Sequence, residues 1–536
     1  MINKFKIQPW WWTLTLLALG VGLFLRFWNI TSNQFLFYDE GMYLGYNRKF
    51  LDLVAANPPK DLNELFVILG IMFKTALTTA KALWFFLLNL RVFIFGSEAW
   101  YFSRVVSALA GVATIALTYL FSYRYFQSKR IALLSAVFLS LLPSHIFYSR
   151  LGMQESFSTL LFLSALYFYL FYKSKNWSAP IAAALLFCVF STNYRMIIGP
   201  IFIVAIEVIE ALRNAETINW KRLSVCIAVF GLIVFVIGSL YGGVNRHITF
   251  AWMFHQAEEA QGQRNLLNFF SYPAYTFMLE GVLFALLFWA NLYLLIKKEW
   301  SKMLPFFLVF LQMLGFSFAA EKGARYLCVV LPLMAISAGV AADYFLNFSQ
   351  KKGYVAALII TTCLLMGIES IKIVNSQTDY ANAVLLILKH DPKAGIVSTQ
   401  PVVEQLYVKD ERSVKECPKN LADFVSLYKQ GYYYLILDPQ SYISWTKDAE
   451  RFSPPLIDFL QSTHDHVPPV AVLNHLSPVL LKRFVLDHNQ NLLQSISFLS
   501  EASSQAYGQI RIYDIGQVLM ILQQQAIQMS GERQKI

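Results

Sequence analysis

PWWWTLTLLALGVGLFLRFW, residues 9–28, decides the fold class: it is long and apolar enough to cross a bilayer core as a helix. It could pass for a secretory leader, but it shows no clean small-x-small cleavage site and its core is long and aromatic, so it reads as a retained first span. The rest of the chain repeats the pattern. Of 536 residues 57% are hydrophobic, 16% aromatic and only 14% charged, with a mean hydropathy of +0.48. A soluble domain carries about a quarter charged residues, so the composition indicates a polytopic membrane protein whose spans are helices.

Apolar runs predict about eleven spans, near 10–28, 100–121, 131–148, 156–172, 178–192, 196–212, 223–241, 277–296, 303–320, 326–346 and 354–374. With the N-terminus inside, the short loops on that side hold Lys4, Lys6, Arg124, Lys129, Arg130, Lys173, Lys175, Arg213, Lys221 and Arg222, while the opposite loops hold few basic residues. That bias places the stretches around 37–43, 144–156, 242–275 and 319–325 outside, together with everything after the last span. The apolar segment 62–96 is interrupted by Lys74, Lys81, Asn89 and Arg91 and reads as a membrane-surface helix rather than a crossing.

The expected organisation is therefore a transmembrane part, 1–374, with outer loop and interfacial helices at 29–99, and a soluble extracytoplasmic part, 375–536. The net charge of +11 divides unevenly. Residues 375–536 hold 14 Lys/Arg and 16 Asp/Glu, so the basic excess belongs to the membrane part. Loop charges and membrane phosphates account for it, and a nucleic-acid partner is not called for. In 375–536, β-rich runs (AGIVST 394–399, YYYLILD 432–438, PVAVLN 469–474, RIYDI 511–515) alternate with helix-like runs (420–430, 515–527), the pattern of an α/β domain. The five cysteines show no metal or disulfide spacing, and no phosphate loop or nucleophile elbow is present.

Polar chemistry gathers on the outer side. FYDEGMY, residues 37–43, places Asp39 and Glu40 side by side. In extended chain they point to opposite sides, so one can face a cavity as a general base while the other anchors the loop. The plainer reading is a solvated pair capping the next helix. SHIFYSRLGMQES, residues 144–156, brings His145, Arg150 and Glu155 to a membrane boundary. Arg150 offers a planar fork for phosphate or carboxylate, Glu155 equally suits a helix start, and His145 equally suits an interface. Lys81 and Arg104 either clamp a phosphate or snorkel, and Arg325 with Tyr326 opens the tenth span as a site or as an anchor.

Taken in order, the first span, the DE pair, KALW (81–84), SRVVSALAGVATIALTY (103–119), YSRLGMQES (148–156) and ARYLCVVLPLMA (324–335) resemble the GT-C glycosyltransferases that use polyprenyl-phosphate sugars. The resemblance is to the dolichyl-phosphate-mannose-protein mannosyltransferase and aminoarabinose transferase (glycosyltransferase 39-like) superfamily, and it covers about residues 10–346. It implies a GT-C-like membrane fold with a C-terminal extracytoplasmic α/β domain in a plasma or inner membrane. It makes Asp39 the catalytic base and Glu40 its partner. It places Lys81, Arg150 and Arg325 at the family's basic positions and Glu155 at a second acidic one. Lys81 departs from the family's Lys-Pro-Pro pattern, since Ala82 and Leu83 stand where the prolines would. The implied reaction is inverting transfer of a sugar from a polyprenyl-phosphate donor to a lipid, glycan or protein acceptor. It requires no cofactor, although a divalent metal at the carboxylates is compatible with it. Two other readings stay open: a transporter or flippase of a lipid-linked anion, and a receptor-like module with an inactive membrane part. Transport sites usually lie near the midplane within repeated halves, and neither feature is evident here.

Overall fold

The computed structural model describes residues 9–31, 38–46, 48–77, 79, 81–96, 101–214, 217–240, 269–318, 322–348, 350–408, 414–418, 421–439, 467–487, 491–501 and 508–521. Most of the expected 242–275 loop and the first part of 319–325 lie outside them. The chain divides into two compact units, one of residues 1–30 and 47–375, the other of 31–46 and 376–536. The segment carrying Asp39 and Glu40 thus groups with the C-terminal residues.

The first unit is helical. Helices occupy each segment expected to span, from Pro9–Phe27 to Lys352–Val374. Among the described residues, four helices are long and apolar enough to cross a membrane, or five if one bent pair is a single span. Two of the other expected spans are interrupted by breaks with local causes. Lys129–Leu141 and Pro143–Arg150 meet at 55°. Leu142 there is extended (φ −64°, ψ 115°) because the proline that follows disfavours the helical conformation, and Pro143 then opens the second piece from the N1 position, where its missing N–H costs nothing. Between Ser271–Glu280 and Val282–Trp289 the break is Gly281, at φ +92°, a conformation glycine adopts freely.

The Lys129–Leu141 helix packs against both Leu331–Phe348 and Tyr101–Phe126. Small residues allow these approaches: a Cβ at Gly339 would fall 2.7 Å from Ser135 Oγ and 3.1 Å from its backbone nitrogen. Away from these contacts lies a polar network that hydrophobicity alone did not foresee. Tyr125 and Tyr169 donate to Glu210 and Glu207, and Lys173 and Arg222 pair with the same two carboxylates at 3.0 and 3.3 Å. In the segment expected to lie on the membrane surface, Leu62–Leu77, Ala82–Asn89 and Arg91–Phe95 are separate helices. Lys74 is exposed but Asn89 and Arg91 are buried, so these interrupting polar residues do not share one exposed face.

Among the described residues of the second unit five strands form one sheet, β1 (Gly395–Ser398), β2 (Lys415–Glu416), β3 (Tyr432–Leu437), β4 (Ala471–Asn474) and β5 (Gln509–Asp514), in the order β2-β1-β3-β5-β4. β1 is parallel to β2 and β3, and β5 is antiparallel to β3 and β4. Val397, Phe424, Leu435, Leu437, Tyr513 and Val518 build its core.

Candidate functional site

Asp39 and Glu40 lie in the first turn of a helix, Tyr38–Gly45. Carboxylates are favoured there because they face the positive end of the helix dipole, an effect of about 0.3–1 kcal/mol each. The expected extended geometry does not hold. In a helix successive side chains are about 100° apart rather than opposed. Nor is the pair solvated, as Asp39 is 5% and Glu40 0% exposed.

In the first unit Arg104, His145 and Arg150 gather around the C-terminal end of the Pro9–Phe27 helix. Arg150 Nη1 donates to the carbonyls of Leu25, Arg26 and Trp28 at 3.1, 3.2 and 2.8 Å, and Nη2 to that of Val374 at 3.3 Å. These are the orphan carbonyls of two helix ends, and a cation there also complements their dipoles. Arg150, expected to offer its fork to phosphate or carboxylate, thus turns both terminal nitrogens to backbone carbonyls in this structure. Arg104 joins it, donating to the Ile30 carbonyl at 3.2 Å.

One decisive residue was not singled out from the sequence. Arg26 is fully buried and donates to the carbonyls of Gly22, Ser140 and Leu139, while its Nη2 lies 2.6 Å from His145 Nδ1. A guanidinium has only donors, so His145 accepts on Nδ1 and carries its proton on Nε2. The available signal was a charge inside an apolar run (LFLRFW, 23–28), which is costly in a membrane unless it has partners.

Two runs quoted from the sequence, SRVVSALAG and YSRLGMQES, meet here. Ser107 of SRVVSALAG donates to the Met153 carbonyl of YSRLGMQES at 2.8 Å, and Ser156 Oγ donates to Ser149 Oγ at 3.0 Å. Gly111 makes the approach possible, since a Cβ there would lie 2.3 Å from Ser149 Oγ. Glu155 opens the Glu155–Phe171 helix, buried, with Oε1 accepting from Gln154 at 3.0 Å. Glu280, also unforeseen, accepts the Ser144 N–H at 3.1 Å beside the bend.

Arg325 and Tyr326 are buried in a 3-10 turn, Ala324–Val330, that packs on both the Glu155–Phe171 and the Pro143–Arg150 helices. The Arg195 guanidinium sits 4.2 Å above the Tyr326 ring, a cation–π contact. Nearby in sequence, Lys322 is buried, which brings its ammonium down to about 8. Lys81 is half-buried and precedes the Ala82–Asn89 helix, whose Trp84 meets Phe157 at 6.1 Å between ring centroids. Helix packing therefore brings together the elements that carry Arg104, His145, Arg150, Glu155, Arg325 and Tyr326, with the Lys81 helix joined through Phe157. Among the described residues no three His, Cys, Asp or Glu side chains converge as a metal-ligand set.

No family model and no curated protein matches the sequence. Solved structures do. ArnT from Cupriavidus metallidurans, bound to undecaprenyl phosphate, matches with a TM-score of 0.54 at 15% identity, over 80% of this chain and 93% of that one. The fold is that of the GT-C glycosyltransferases. The apo state of the same ArnT covers 85% of this chain at 14% identity, with a TM-score of 0.54. A second GT-C protein, the Archaeoglobus fulgidus oligosaccharyltransferase in complex with Zn and sulfate, matches at 0.53 and 13% identity over 82% of this chain and 70% of its own. At such identities the likeness establishes the GT-C fold, not the substrate.

Proposed function

We propose that the chain is an integral-membrane glycosyltransferase, transferring a sugar from a polyprenyl-phosphate donor to a lipid, glycan or protein acceptor on the extracytoplasmic face of the plasma or inner membrane. The observation that carries this reading is the GT-C fold over most of the chain, with one solved neighbour holding undecaprenyl phosphate. Residues 1–374 are then the catalytic membrane part, and 375–536 the extracytoplasmic part.

The chemistry is a single displacement. Asp39 takes the proton of the acceptor hydroxyl or amine, and Glu40 supports it. The acceptor atom forms a bond to the anomeric carbon as the bond from that carbon to the phosphate oxygen breaks. The electron pair leaves on the polyprenyl phosphate, and the configuration at carbon inverts. Charge grows on the phosphate, and fixed donors aimed at growing charge are worth about 10²–10³ in rate. Lys81, Arg104 and Arg325 are the cations assigned to that task. Arg150, engaged with backbone carbonyls, holds the frame together with His145, while Glu155 and Tyr326 lie on elements packed against the Pro143–Arg150 helix. None of these steps requires a cofactor.

The test is incubation of purified protein with a panel of polyprenyl-phosphate sugars and candidate acceptors, read by mass spectrometry. A glycosylated product supports the reading. Solute or lipid movement in reconstituted vesicles without any glycosidic product would replace it with transport.

A further inference from the structure

The Tyr38–Gly45 helix packs on a short helix, Pro401–Glu404, of the same compact unit. The approach is closest at Gly41. A Cβ there would lie 3.0 Å from Val403 Cγ2, 3.2 Å from Val403 Cα and 3.4 Å from Val403 Cβ. Contacts that short force a shift of a few tenths of an ångström. Val403 is fully buried, and its helix packs on β1 and on the Tyr380–His390 helix, so it has little room to retreat. The shift would fall on the helix that bears Asp39.

Gly45 provides the internal contrast. One turn further along, a Cβ would meet Val402 Cγ1 at 3.8 Å, an ordinary contact. Glycine within a helix costs about 0.5–1 kcal/mol relative to alanine. At Gly41 the close approach gives a reason for that cost, and the residue directly follows the carboxylate pair.

We propose that Gly41 and Val403 form a positioning contact through which the C-terminal α/β fold sets the placement of the Asp39 carboxylate. The inference rests on the reading of Asp39 as general base, and gives the C-terminal residues a role in the reaction independent of any ligand they bind. Displacing a reacting group by about 1 Å can cost about 10²-fold, so a few tenths of an ångström corresponds to roughly 10-fold.

The experiment compares Gly41→Ala, Gly45→Ala, Val403→Ile and the double variant Gly41→Ala/Val403→Ala in the full chain. Two readouts are taken, kcat and donor KM for glycosyl transfer, and amide hydrogen exchange of the 38–46 peptide. Gly41→Ala is expected to lower kcat about 10-fold with donor KM within about 2-fold. Val403→Ile, which enlarges the contact from the other side, should give the same split. Gly45→Ala should match the wild type, and the double variant should recover most of kcat. Equal kcat for the two glycine variants, or no recovery in the double, overturns the proposal. If the wild-type protein makes no product from any polyprenyl-phosphate sugar, the glycosyl-transfer reading is what fails. The exchange data still test the contact in that case: faster exchange in Gly41→Ala that reverses in the double variant upholds it, and unchanged exchange removes it.

Discussion

Arg26 Nη2 lies 2.6 Å from His145 Nδ1, joining the first helix to the piece of helix that follows the bend at Pro143. The same guanidinium donates to the carbonyls of Leu139 and Ser140 just before that bend. One buried cation therefore serves the backbone groups released where the helix breaks and a side chain beyond them.

Replacing Arg26 with Leu would leave those carbonyls and His145 Nδ1 without their donor, at about 1–3 kcal/mol for each buried group left unsatisfied. The expected outcome is a loss of at least about 3 kcal/mol, read as thermal unfolding in detergent. Removing both partners is milder than removing one, so His145→Leu in the Arg26→Leu background should restore part of the loss. Strictly additive losses would show that the pair is not coupled.

Arg150 should behave as a frame residue rather than a phosphate ligand. Its two terminal nitrogens reach four carbonyls at 2.8–3.3 Å, a set that the compact ammonium of lysine cannot span. Arg150→Lys is expected to lower stability by about 2–4 kcal/mol while the folded fraction keeps its donor KM within about 2-fold. A large rise in donor KM with unchanged thermal stability would return Arg150 to the phosphate.

The C-terminal fold should show two opposed pH limbs. His475 is buried and pushed down to about 3, with Nδ1 accepting the Asp379 N–H at 3.0 Å. Its 3.7 Å approach to Asp438 is therefore a contact of neutral imidazole rather than an ion pair. The unfolded chain takes up a proton below about 6.5, so this stability is full above that pH and is lost as pH falls toward 3. Glu404 runs the other way. Burial, and then the charge of Asp438, hold its carboxyl well above the usual range, against a smaller lowering by Ser398. Its contribution is full below about 4.5 and is lost as pH rises through its folded value. Tyr380, buried and hydrogen-bonded to Asp438, stays protonated throughout this window. Glu404→Gln should flatten the alkaline limb and His475→Gln the acidic limb of melting temperature against pH. An alkaline limb unchanged in Glu404→Gln would contradict the assignment.

Much of the fold could be read from the chain alone, and the parts that could not share a cause. The apolar runs gave helix positions because each helix satisfies its own backbone, but the run 131–148 read as one unbroken span and its bend at Pro143 went unread. The strands Tyr432–Leu437 and Gln509–Asp514 fall on runs rich in aromatic and β-branched residues. Their antiparallel pairing, beside the parallel pairing of β3 with β1, is a long-range fact no local run records. The partners of Arg26 lie 113–119 residues away, which is why it passed as a stray charge. YDEGMYLG, with two glycines in eight residues, reads locally as a loop, and its helix rests on Val403 from the far end of the chain.

The central claim is that Asp39 removes the acceptor proton in glycosyl transfer from a polyprenyl-phosphate sugar. The direct measurement is single-turnover product formation by Asp39→Asn, with donor binding and melting temperature measured on the same preparation. A general base contributes about 10²–10⁴-fold, so the rate should fall by that factor while the variant still folds and binds donor. Wild-type turnover by a correctly folded Asp39→Asn protein would contradict the account.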